Sequence, residues 1–132
     1  MQLSATGVGV PGRFVLAPHL RPDRATLSSV VPYRTSGGPV LICARTVAGR
    51  SLPPDVGAWR DAVEEEPWLL RLYSATPRGR WHPFADLRLT DARGEDDPGL
   101  RFDIDLHPLD GATSYDAVRA VRQPAYRLAQ RR

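Results

Sequence analysis

A chain of 132 residues, 42% of them hydrophobic, has the size and composition of one globular domain, which excludes wholesale disorder. One cysteine excludes an internal disulfide, and with neither a secretory signal nor a run of roughly 20 apolar residues we expect a cytoplasmic protein without a membrane span. The net charge of +3 rests on arginine alone, because lysine is absent, and we attribute this bias to a GC-rich genome rather than to a binding function.

The first half of the chain predicts short strands and turns, because the many prolines and glycines interrupt long helices. The turn residues Ser36-Gly37-Gly38 predict a hairpin, and Pro32 confines its first arm to a sheet edge. In chain order the predicted elements are a strand at Met1–Thr6, a turn at Gly7–Gly12, an extended apolar run at Arg13–Ala17, and a hairpin that joins Val30–Thr35 to Val40–Val47.

The second half mixes helical and strand patterns. Val56, Trp59 and Val63 recur at helical spacing, and Asp55 can cap that helix. In chain order the predicted elements are a short helix within Ser51–Pro67, strands at Trp68–Ala75, Ala85–Thr90 and Leu100–Leu106, and a C-terminal helix that Thr113 caps and Pro124 kinks.

Clean alternation in two of these strands predicts one interior face, which comprises Leu87, Leu89, Phe102 and Ile104. The chain thus predicts a single α+β, β-rich domain over residues 1–132. Its architecture would be an antiparallel sheet or a partial β-barrel with C-terminal helices.

Two sets of residues match the residue types of known ligand sites, but the surrounding sequence argues against both. Gly7–Gly12 fits a dinucleotide-binding glycine loop, but an extended run follows where that motif needs a helix, so we interpret it as a plain turn. His19, His82 and His107 never share an element at ligand spacing, so no metal site is predicted from them.

Other reactive residue types also lack a supporting context. Cys43 lies among apolar residues, which predicts a buried, inert thiol. Ser28 and Ser29 lie in no nucleophile-elbow pattern. The arginine-rich tail contains one aromatic residue, Tyr126, whereas nucleic-acid surfaces combine a basic face with several stacking rings, so we do not expect a nucleic-acid partner.

The C-terminal third carries an ordered series that matches a known pattern. The series is Phe102, Gly111, Ser114, Asp116, Arg122, Tyr126 and Arg131. With the segment Pro83–Leu89, it resembles the proximal haem segment and last barrel strand of the haem catalases and their smaller relatives, over about residues 68–132. The first half, with Ser28–Arg34, looks like short actinobacterial proteins loosely tied to that superfamily, some of which carry a phosphodiesterase label.

The resemblance implies roles for two residues. In the family a tyrosinate holds the haem iron, so Tyr126 would be the metal ligand. Arg122, on the same helix face, would keep the phenolate ionised. The alternative is a basic surface helix with a half-buried tyrosine. Pro124 falls inside the motif, where the family usually has bulky apolar residues.

The resemblance implies the second half of a catalase-like barrel, and the family's distal histidine motif has no match in this sequence. We therefore expect a catalase-superfamily-like protein without complete haem catalysis of its own, with haem as the implied cofactor. Whether the chain is an enzyme stays open; if it is one, it would be a haem-dependent peroxidase or catalase-like enzyme.

The alternative is a non-catalytic binding or assembly module without haem. A half barrel leaves strand edges open, so we expect a homo-oligomer or a partner protein that completes the barrel. The clustered His and Asp residues of metal-dependent phosphodiesterases are not found.

Overall fold

The computed structural model describes residues 3–19, 21–47, 51–53, 55, 58–90 and 110–120. Its strands are β1 (Ser4–Thr6), β2 (Thr26–Ser28), β3 (Tyr33–Thr35), β4 (Gly38–Thr46), β5 (Trp68–Ala75), β6 (His82–Leu89) and β7 (Ala112–Thr113), and its helix α1 is Trp59–Glu65. Every pair of these strands is antiparallel. The predicted β-rich antiparallel class is confirmed, and the described strands form an open sheet rather than a closed barrel.

The sheet is organised around β4, its longest strand. One edge of β4 pairs along six residues with β5, which in turn pairs with β6. The other edge pairs first with β3 and then with β2, and these continue to β7 and β1 respectively. The predicted hairpin is confirmed as the pairing of β3 with β4, but its first arm begins at Tyr33 rather than at Val30. The prediction that Pro32 confines this arm to a sheet edge is wrong, because β7 pairs with the other side of β3.

Helix α1 packs against part of one face of this sheet. The core cluster comprises Ala44, Leu52, Trp68 and Leu70, and Ala62 and Val63 of α1 pack against it. The Trp59 ring meets the Trp68 ring edge to face at 6.2 Å between centroids. The short helix that the spacing of Trp59 and Val63 predicts within Ser51–Pro67 is therefore confirmed. No described helix is long and apolar enough to cross a membrane.

Some local predictions were wrong at their boundaries. The run at Arg13–Ala17 is not extended throughout, because a 3₁₀ turn occupies Gly12–Phe14 and only Leu16 forms a bridge, to Thr6. Asp55 accepts a hydrogen bond from the Ala58 N–H at 3.1 Å, so it orders the turn before α1 instead of capping the helix.

Two further predictions fail for tertiary reasons. Thr113 lies in β7, and the helical segment 116–120 starts with hydrogen bonds to the Tyr115 carbonyl, so Thr113 is not the cap. Leu87 is 39% exposed, so it is not in the interior, whereas Leu89 packs against the core. Phe102 and Ile104 lie outside the described residues.

Candidate functional site

The residue pair that the resemblance assigns to haem, Arg122 and Tyr126, lies outside the described residues, and its role stays a prediction. Phe102, His107 and Arg131 also lie outside them. Three members of the ordered series are described. Gly111 takes a φ of +71° in the turn before β7, Ser114 follows that strand, and Asp116 begins the helical segment. A helix therefore begins directly after the Ser114-Tyr115 pair.

The glycine-rich loop forms a compact turn, as predicted. The Gly7 N–H donates to the Gly12 carbonyl at 3.0 Å, and the Arg13 N–H donates to the Gly9 carbonyl at 2.7 Å. A Cβ on Gly7 would lie 3.0 Å from the Gly12 backbone, so this close approach requires glycine. Only a short 3₁₀ turn follows, and the helix that a dinucleotide site needs is not there.

Arg13 links this loop to the turn between β5 and β6, and sequence reasoning missed this contact. Arg13 is 5% exposed, and its Nη1 donates to the carbonyls of Thr76 and Gly79 at 3.2 and 3.0 Å. Its guanidinium lies 4.8 Å from the centroid of the Trp81 ring, whose Nε1 donates to the Val8 carbonyl at 3.0 Å. We call this set of contacts the Arg13 brace. It joins the loop after β1 to the β5–β6 turn.

Buried hydroxyls and a thiol lie next to the brace. Ser28 and Cys43 are register partners on β2 and β4, so their side chains share a face. The Ser28 hydroxyl donates to the Arg13 carbonyl at 3.4 Å and accepts from Thr6 at 3.0 Å. Burial raises the pKa of the Cys43 thiol to about 11, which keeps it neutral and unreactive at physiological pH. The predicted burial of Cys43 is confirmed.

The backbone is strained directly after Ser28 and Ser29. Val30 has a φ of +57°, which is rare for a β-branched residue. The Val31 N–H donates to the Ser29 carbonyl across it, as in a γ-turn. Two serine hydroxyls hold the turn, because Ser28 accepts from the Val30 N–H at 3.3 Å and Ser29 accepts from the Ile42 N–H at 3.2 Å. Strain of this kind persists only where the surroundings enforce it.

The strained turn borders a small cleft, which we call the β3 cleft. Its lining comes from two segments far apart in sequence, and consists of Ser29, Val31, Pro32, Tyr33, Ser114, Tyr115 and Val118. The two segments are held together by the β3–β7 pairing and by Arg34, whose guanidinium lies 4.9 Å from the Tyr115 ring centroid. The structure thus brings together Ser28–Arg34 and the Ser114–Asp116 region, both of which carry the family resemblance.

The β3 cleft does not fit a haem. Its volume is about 10 Å³, roughly the space of one water molecule, whereas ligand pockets span about 300–1,000 Å³. Within the described ranges no group of three or more His, Cys, Asp or Glu side chains converges as a metal site would require.

Comparison with known proteins identifies no relative: no family model, no curated protein and no solved structure matches the chain.

Proposed function

We propose that this chain is an assembly module: a catalase-superfamily-like protein that associates through its surface and carries no complete haem chemistry of its own. The observation that carries the proposal is the distribution of its exposed apolar side chains. Every exposed large apolar residue among those described lies either on the loop after β1 or on the β5–β6 pair, namely Val8, Val10, Phe14, Val15 and Leu16, and Leu69, Phe84 and Leu87. Scattered single exposures are ordinary, but concentrated ones mark interaction surfaces.

The loop is also rigidly held, which supports a binding role. The Arg13 brace and the Gly7–Gly12 hydrogen bond fix its backbone, while Val10 stays 53% and Val15 57% exposed. A segment ordered before binding loses less conformational entropy on association. These contacts therefore hold apolar side chains in a fixed position at the surface.

The buried polar groups support a non-catalytic role. The Arg13 guanidinium binds two backbone carbonyls, and the hydroxyls of Ser28 and Ser29 bind backbone groups of the strained turn. Cys43 is a neutral thiol with a raised pKa. The Nη1 of Arg13 and both serine hydroxyls thus hold backbone groups in the described fold, although the buried Nε of Arg13 has no hydrogen-bond partner.

The test of assembly is the oligomeric state of the purified protein. Sedimentation velocity from micromolar to submillimolar concentration should show a species larger than the monomer whose fraction rises with concentration. A clean monomer across that range would refute the proposal.

Haem binding is the second candidate function, and the helix that begins at Asp116 favours it, because the resemblance places Arg122 and Tyr126 on a helix beyond that point. Haemin titration of the wild type, Tyr126→Phe and Arg122→Ala separates the two candidates. The assembly proposal expects the same spectrum from all three proteins. A high-spin ferric spectrum that disappears in Tyr126→Phe and weakens in Arg122→Ala would establish tyrosinate ligation instead.

A further inference from the structure

Strand β6 is unusually exposed for part of a sheet. Residues 82–88 are all exposed, and only Leu89 is half-buried. Among the described residues its single partner strand is β5. Its two faces nevertheless differ in chemistry: Ala85 and Leu87 continue the apolar face of the sheet, whereas Asp86 and Arg88 lie on the opposite face.

We propose that β6 pairs antiparallel with β6 of a second copy of this chain, about a two-fold axis that is perpendicular to the sheet and passes midway between the Leu87 residues of the two copies. This inference rests on the proposed function, and it names the partner and the surface. The register follows from charge, because it is the one antiparallel register that sets Asp86 of each copy opposite Arg88 of the other.

The charged face then forms a ladder across both copies. Within one chain Arg71 opposes Asp86 on the neighbouring strand and binds it through two hydrogen bonds, at 2.8 and 3.2 Å. The Arg71 guanidinium holds the pKa of the Asp86 carboxyl below its ordinary value, so this carboxylate is ionised over the physiological range. In the paired sheet Asp86 would lie between Arg71 of its own chain and Arg88 of the second copy. Opposite charges directly across an antiparallel pair stabilise it.

The apolar face matches itself in the same register. Leu70 opposes Leu87 within the chain, so the axis would set the Leu87 side chains of the two copies side by side between the two Leu70 residues. Ala85 would oppose Leu89 of the second copy. Leu87, 39% exposed in the single chain, would then contact its counterpart side by side and lose part of this exposure. Both faces are thus complementary to themselves about one axis.

The start of β6 limits the extent of this pairing. Pro83 has no N–H to donate to a new neighbour, and Phe84 is the extra residue of a bulge, since Leu72 pairs with Ala85 and Tyr73 pairs with Pro83. Prolines and bulges at strand edges restrict edge-to-edge association. The pairing should therefore close as a dimer over residues 85–89.

Disulfide trapping tests the position of the axis. Opposed residues of an antiparallel pair have Cβ atoms about 4.5–5.5 Å apart, which mild oxidation can bridge with little movement. In a Cys43→Ala background, Leu87→Cys should form a covalent dimer. Leu69→Cys is the matched control: Leu69 is 44% exposed, on the neighbouring strand and away from the axis, and should not cross-link at a comparable rate.

Charge exchange tests the register. Asp86→Arg and Arg88→Asp each place like charges opposite each other in both halves of a homodimer, so each should raise the dimer Kd roughly tenfold or more. Mixing these two variants restores two opposite-charge pairs, and the mixture should form a heterodimer close to wild-type affinity. Arg78→Asp, on the exposed β5–β6 turn, makes the same change of charge and should have no effect.

The outcomes separate this inference from the proposed function. Cross-linking through Leu87→Cys with recovery on mixing supports the β6 dimer. A wild-type dimer that Leu87→Cys does not trap, or that Leu69→Cys traps equally, overturns the β6 axis but leaves the assembly proposal standing. A monomeric wild type overturns both.

Discussion

Replacing Arg13 by alanine should lower the free energy of unfolding by about 2 kcal/mol, because it removes the brace between the loop after β1 and the β5–β6 turn. Hydrogen bonds with a charged donor contribute about 1.5–3 kcal/mol each, and Arg13 donates two, to Thr76 and Gly79. Stacking on Trp81 adds about 1 kcal/mol. Desolvation of the guanidinium opposes these gains by several kcal/mol. For a domain of this size, a net loss of about 2 kcal/mol lowers Tm by roughly 6 °C.

Urea unfolding followed by tryptophan fluorescence measures the change directly. Arg13→Lys keeps the charge but loses the planar face, so it should retain only part of the stability. Arg78→Ala is the matched control, because Arg78 is an exposed arginine in the β5–β6 turn that Arg13 contacts. Hydrogen exchange should speed up at residues 7–17 and 76–81 in Arg13→Ala alone. If Arg13→Ala stays within about 0.5 kcal/mol of the wild type, the brace contributes nothing and the reasoning fails.

Three further predictions concern single positions. Native Cys43 should react with an alkylating reagent far more slowly than the urea-unfolded thiol near neutral pH, and equal rates would contradict its burial. Because burial raises the pKa of this thiol to about 11, its contribution to stability should be full below the ordinary thiol pKa and should be lost as the pH rises through about 11. Val30→Gly should leave Tm unchanged or raise it, because glycine relieves the positive φ, whereas Val31→Gly should lower it; a comparable loss at both positions in thermal scans would argue against strain. At a protein concentration where the chain is monomeric, Leu70→Ala should cost about 2–5 kcal/mol in urea unfolding and Leu87→Ala much less, and similar costs would show that Leu87 is buried within the single chain.

Strands with strong local patterns could be predicted from the sequence, and those that depend on distant partners could not. β5 was predicted with its observed bounds, and β4 within two residues at its start and one at its end, because β-branched and apolar runs between turn signals determine strands locally. Val30 was placed in the first arm of the hairpin because the turn residues Ser36-Gly37-Gly38 follow that segment. Its actual conformation depends on Ser28 and Ser29 hydroxyls that are positioned by β1 and β4.

The candidate site was the least predictable part for the same reason. In the sequence Arg13 is a single polar residue after a glycine-rich turn. No neighbouring residue indicates that its partners are Thr76 and Gly79, which lie more than 60 residues later. The β3 cleft likewise joins segments that only the β3–β7 pairing brings together. The one available signal was the resemblance, which singled out both segments of that cleft without indicating that they meet.

The exposure of Leu87 follows from the size of α1. Alternation correctly put Leu87 and Leu89 on the apolar face of the sheet, but a face is buried only where something covers it. A helix of seven residues is about 10 Å long and about as wide, and strands lie about 4.8 Å apart, so α1 covers roughly two strands. Those strands are β4 and β5, which supply Ala44, Trp68 and Leu70 to the core. The middle of β6 lies beyond the helix, and a second copy of β6 would supply the apolar neighbour that α1 cannot provide.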